Sequence, residues 1–184
     1  MLISGLLLFS LFFLPLWRIT LLAPQYPDGV HMFIYINKIG GATPGTLQNI
    51  NILNHYIGMK PIEPDSIAEL KYLPYIVLSF TFLAFLSAII NNKYVYLGWL
   101  IIFALACLLG IYDFYLWEYD YGHNLDPKAP MQFDDSFQPP LIGSKTIINF
   151  VAKSYPHIGG WLVILSFWLA AFVTYSKFKK PKLI

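Results

Sequence analysis

His55 and Met59 stand four residues apart in LNHYIGM, a spacing that on a helix puts an imidazole and a thioether on one face. Imidazole takes copper of either charge and thioether selects the cuprous ion, so this is the arrangement a His/Met copper pair would use. Gly58 weakens the helix just before Met59, and the plainer alternative is that His55 hydrogen-bonds a carbonyl while Met59 packs. His31 and Met32 lie upstream in the same inter-span segment, with His123, Met131 and His157 as reserve donors. A second group, Asp113, Glu118, Asp120, His123 and Asp126, gathers between residues 113 and 126. Carboxylates with one imidazole suit zinc, manganese, calcium or cupric ion, and the alternative is a solvated helix end. On a continued helix Asp113, Trp117 and Asp120 share a face, and Glu118 points away from it. No Ser-His-Asp order, phosphate-cradling glycine loop or CxxCH haem attachment occurs, so no enzyme activity is expected. Cys107 is the single cysteine, which excludes a disulfide framework or a thiolate cluster from one chain.

The elements that position these residues follow from composition. Of 184 residues, 57% are hydrophobic and only 12% charged, against about a quarter charged in an ordinary soluble domain. A formal net charge of +2 with scattered cations lacks the electrostatic footprint of a nucleic-acid binder. A helix crosses the hydrocarbon core with about 20 mainly apolar residues. Residues 2–22, 73–90, 94–117 and 158–175 qualify. The expected fold is therefore an all-α membrane protein, one domain over 1–184, with four transmembrane helices and external loops at 23–72 and 118–157. The first stretch is expected to be a retained helix, since it lacks a basic leader and a small-x-small cleavage site before Pro24. Lys93 at the tip between the second and third spans, and Lys177, Lys179, Lys180 and Lys182 in the tail, put the tip and both termini on the cytoplasmic side. All ten acids and all four histidines then fall at the outer side. Trp17, Trp117 and Trp161 read as interfacial belts.

Within the loops, VHMFIYI has the alternation of a strand or a membrane-surface segment. In TLQNINILNHYIGM, Leu47, Ile50, Leu53 and Ile57 recur at helical spacing behind Thr46 as N-cap. Ser144 is expected to cap a short amphipathic stretch carrying Ile147, Ile148, Phe150 and Val151. Arg18 and Asp113 are the formal charges inside the four spans. Arg18 lies about 16 residues from the inner end of the first span and Asp113 about 19 from that of the third, depths that agree within about 5 Å at helical rise. An ion pair between them, joining the two helices, would relieve the cost of a carboxylate near hydrocarbon.

At APQYPDG, LNHYIGM, QPPLIG and YPHIGGW, over nearly the whole length, the chain resembles small multi-span membrane proteins of unknown activity that some bacteria encode beside nitrous-oxide reductase maturation genes. The resemblance implies a bacterial inner-membrane protein in denitrification that supports copper delivery to, or maturation of, a periplasmic reductase. It transfers no site residues. The competing expectation is a structural subunit docking into a larger membrane complex. Copper is the one cofactor expected, and lipid with other membrane or periplasmic proteins are the expected partners.

Overall fold

The structure, a computed structural model, describes residues 1–130, 138–147 and 150–179. Met131, Ile148, Lys180 and Lys182 lie outside the described residues. The first apolar stretch does not make one spanning helix. Leu2–Phe9 form α1, continued by a 3-10 turn over Ser10–Phe12, and Trp17–Ala23 then form a strand, β1. Pro15 divides them: it offers no N–H to the preceding turn, its ring clashes with the helical carbonyl before it, and it disfavours helix at Leu14. Beyond it the β-branched Ile19 and Thr20 suit a pleated strand.

The expected all-α fold with four spans is therefore corrected. Among the described residues the chain is mixed α/β, with one five-stranded antiparallel sheet and three helices long and apolar enough to cross a membrane. After β1 come β2 (Tyr26–Ile34), β3 (Ile39–Gly41) and α2 (Thr46–Tyr56), then the three long helices α3 (Glu69–Ile90), α4 (Lys93–His123) and α5 (Ile158–Lys179), with β4 (Gly143–Ile147) and β5 (Phe150–Pro156) between the last two. The strand order is β3-β2-β1-β5-β4. The stretch expected to be a helix behind Ser144 is the β4–β5 hairpin, whose partners include Ser144 with Lys153 and Thr146 with Val151. β1 is the central strand, paired with β2 on one side and β5 on the other, so the two expected external loops are joined through a segment expected to lie in the membrane.

Alternation along the strands gives the sheet two different faces. Trp17, Ile19, Leu21 and Ala23 of β1 align with Met32 and Val30 of β2 and with Ser154 and Ala152 of β5. This is the covered face. α2 lays Ile50 against Val30 and Met32, and Leu53 and Ile57 join Ala23, Met59 and Phe150 in a second apolar cluster. Leu47 packs at the edge of the first, so the expected apolar stripe of α2 is the buried one. Gly45, at φ +81°, takes the N-cap position expected of Thr46, and Thr46 opens the helix with its hydroxyl donating to the Thr43 carbonyl at 2.8 Å.

α4 has 31 residues, about 46 Å of helix, against a hydrocarbon core of about 30 Å. Its C-terminal part, from Phe114 onward, lies on the sheet: Phe114 meets Trp17 edge-on at 5.4 Å, and Tyr121, with Leu125 just beyond the helix, packs on the Leu53 cluster. At the opposite end α3 and α4 turn through Asn91, at φ +55°, and Asn92, which caps α4 by accepting from the Tyr94 N–H. Lys93 lies over the Phe178 ring at 4.8 Å, so the α3–α4 tip and the last turn of α5 share that end. α1 fills the bundle between α3 and α5. The Ser4 hydroxyl donates to the Ser166 carbonyl at 3.3 Å and the Ser166 hydroxyl to the Ser4 carbonyl at 3.1 Å, a reciprocal tie that small residues permit.

Candidate functional site

His55 is exposed on the outer side of α2 and Met59 is buried in the Leu53 cluster. The helix closes at Ile57, Gly58 turns the chain at φ +78°, and the Met59 N–H returns to the Asn54 carbonyl at 2.9 Å. Helical spacing therefore does not apply across the pair, and the plainer fate of Met59, packing, is the one seen. Met32 is buried against Ile50. His31, one residue earlier, projects from the opposite face of the sheet, where its Nδ1 and the Thr20 hydroxyl are hydrogen-bonded at 2.9 Å. His123 ends α4 with Nδ1 donating to the Tyr119 carbonyl at 2.9 Å and its ring stacked on Tyr119 at 3.8 Å. His157 packs its ring on Phe33 at 5.2 Å, and burial together with the nearby Arg18 charge holds its imidazole below the usual range. These donors occupy separate surfaces. Among the described residues no three His, Cys, Asp or Glu side chains come together as a metal would require.

The acidic group at the end of α4 is likewise dispersed by function. Asp120 accepts from Lys60 at 2.8 Å and also from the Asn124 amide, and these two donors keep its carboxyl below the usual range. That contact is the one ion pair among the described residues, so Arg18 and Asp113 are not joined. Arg18 is an exposed residue of β1, opposite Phe33 and Tyr155, on the face away from Trp17; Asp113 precedes Phe114, which touches Trp17, and its charged neighbour is Glu69 at the start of α3. Asp126 is exposed and turns the chain by accepting from the Lys128 N–H at 2.8 Å.

Glu118, which the sequence turns away from the Asp113 and Asp120 face, is buried and, among the described residues, not a member of a cation-binding group. It is 4% exposed, and neither carboxylate oxygen has a hydrogen-bond partner among the described residues. It lies one turn after Phe114 and one turn before Tyr121 and Gly122, on the stripe of α4 that faces the sheet domain. Burial without a donor pushes its carboxyl up to about 7. The signal was available: Phe114, Glu118, Tyr121, Gly122 and Leu125 recur at helical spacing, so the direction away from Trp117 and Asp120 is the packed one.

A shallow groove of about 710 Å³ runs along α2, lined by Leu47, Asn51, Ile52, His55, Tyr56 and Pro130, with Gln48. Ile52 and Tyr56 are 47% and 50% exposed there. Compared with protein-family models, with curated proteins and with solved structures, the chain matches none of them.

Proposed function

We propose that this chain is a non-catalytic accessory subunit of a membrane complex, held in the bilayer by α3, α4 and α5 and docking a partner through the outer side of α2. The observation that carries this reading is the exposure of Ile52 and Tyr56 beside a groove on α2, a helix packed on the sheet and not among the spanning helices. In this reading the end bearing Lys93, Lys177 and Lys179 faces the cytoplasm of a bacterial inner membrane, which the grouping of five lysines without an acid in the short tip and tail supports. Purification in gentle detergent should recover a partner chain, and Ile52→Asp with Tyr56→Ser should reduce that recovery by at least tenfold while leaving the melting temperature within about 2 °C. Recovery unchanged by the double substitution, or the isolated chain alone from native membranes, would sink the reading.

A narrower form, copper delivery or maturation of a periplasmic reductase, follows from the resemblance at LNHYIGM and its companion motifs. One observation favours it: His55 is exposed in the docking groove and its imidazole makes no hydrogen bond among the described residues, unlike those of His31 and His123. A copper ion at this place would be held by His55 and by donors from the docked partner, with Met59 as packing. Titration with cuprous and cupric ions in the presence of the partner should show binding that falls at least tenfold in His55→Ala and is unchanged in Met59→Leu. Loss of binding in Met59→Leu with full stability, or equal binding by His55→Ala, would contradict this arrangement.

A further inference from the structure

The sheet face turned away from α2 and α4 carries two rows of side chains beside the start of α5. The first row is Phe33, Arg18 and Tyr155, and the second is His31, Thr20 and Lys153. Arg18 and Lys153 are exposed, and neither has an ion-pair partner among the described residues. As diagonal neighbours on adjacent antiparallel strands, they lie about 7 Å apart at the backbone, close enough to converge on one anion. Guanidinium offers paired donors and the ammonium a mobile point charge, the combination that suits a phosphate oxygen cluster. Tyr155 stands opposite Arg18 in the register, and the next residues along the face, Leu22, Gly29 and Val151, add no acid.

The height of this face above the bilayer is set by the chain. Tyr155 precedes Ile158, the first residue of the spanning helix α5, by less than one turn, and the His157 N–H bonds the Leu16 carbonyl at 2.9 Å, tying β1 to the same level. Trp161, 60% exposed in the first turn of α5, marks the interface. The two rows are about 7 Å apart along the strands, and each headgroup layer is about 5 to 7 Å deep. With α5 spanning the bilayer, that spacing would bring both cations within reach of lipid phosphates.

We propose that this face binds the headgroup of an anionic phospholipid in the leaflet on the sheet side. Arg18 and Lys153 hold the phosphate, and Phe33 and Tyr155 lie against the glycerol and upper acyl chain.

The test uses full-length protein, delipidated in neutral detergent and titrated with phosphatidylglycerol, phosphatidylcholine or inorganic phosphate, with bound lipid read by native mass spectrometry. Phosphatidylglycerol should bind more tightly than phosphatidylcholine, and raised salt should narrow the difference. Arg18→Gln and Lys153→Gln should each weaken phosphatidylglycerol about 5-fold, and together about 25-fold. The charge-keeping Arg18→Lys with Lys153→Arg should retain most of the affinity, and Lys177→Gln at the other end should change nothing. Equal affinity for the two lipids, or a double glutamine variant that binds as wild type, overturns the proposal. Displacement of the lipid by millimolar inorganic phosphate would assign the face to a soluble anion and overturn the lipid assignment.

Discussion

Gly159→Ala is expected to cost about 3 kcal/mol and to lower the melting temperature in detergent by several degrees. A Cβ at Gly159 would sit 2.7 Å from the Pro15 carbonyl oxygen and 3.0 Å from its carbon, and one at Gly160 would sit 2.6 Å from the Leu16 carbonyl oxygen. Both obstacles are backbone, and that backbone is pinned: the Gly159 N–H donates to the Pro15 carbonyl at 2.9 Å, and the Leu16 N–H donates to the Ile34 carbonyl at 2.8 Å. The collision cannot be relieved by turning a side chain, so the start of α5 must move away from β1. That displacement breaks the joint which sets the sheet on the membrane bundle, and Gly160→Ala should behave alike. Gly98→Ala and Gly110→Ala in α4 are the controls, since nothing lies within 4 Å of a Cβ at either, and each should be neutral or stabilising by up to about 1 kcal/mol. Thermal unfolding of the four variants checks this; a Gly159→Ala protein as stable as Gly110→Ala would mean the joint is slack.

The importance of that glycine pair could not have been inferred while residues 2–22 were read as one helix. Length and apolarity correctly identified α3, α4 and α5, because nothing in those stretches competes with a spanning helix. Apolar spacing identified the buried stripe of α2, and the alternation in VHMFIYI, which suits a strand or a membrane-surface segment alike, overlaps β2. The first stretch failed because its mean apolarity hid a change of period at Pro15: before it the chain repeats with helical spacing, and after it with the period of a strand. The Arg18–Asp113 pairing failed with it. Matching depths assumed helical rise as far as residue 18, whereas Arg18 lies on a strand and alternation turns it to the face opposite Trp17. The β4–β5 hairpin was hidden for another reason. Its polar outward residues, Lys153 and Ser144, dilute the apolar pattern, and its partner is β1, more than a hundred residues earlier.

Among the acids, the largest effect should come from Glu118→Gln, which removes the charge and keeps the shape. With its carboxyl pushed up to about 7 in the folded protein, against about 4.5 when unfolded, the folded state holds this proton more tightly. Between those two values the folded protein binds more protons than the unfolded chain, so stability falls as pH rises, by about 3 kcal/mol in all, and stays low above about 7. Asp120 has the opposite sign: its lowered carboxyl adds stability above its unfolded value that is lost in acid, but it is an exposed pair with Lys60 and its share is small. The glutamine variant has no charge at position 118 to bury. Its advantage over wild type should be near zero at pH 4.5, grow through pH 6, and level off above pH 7. Melting curves of both proteins from pH 4.5 to 8, in one detergent at fixed salt, measure it. Parallel curves, with the same difference at every pH, would show that Glu118 finds a partner or water when ionised. Curves that converge in acid and separate toward neutral pH would show that α4 meets the sheet through a carboxylic acid, so that alkaline conditions loosen the same joint that Gly159 closes from the other side.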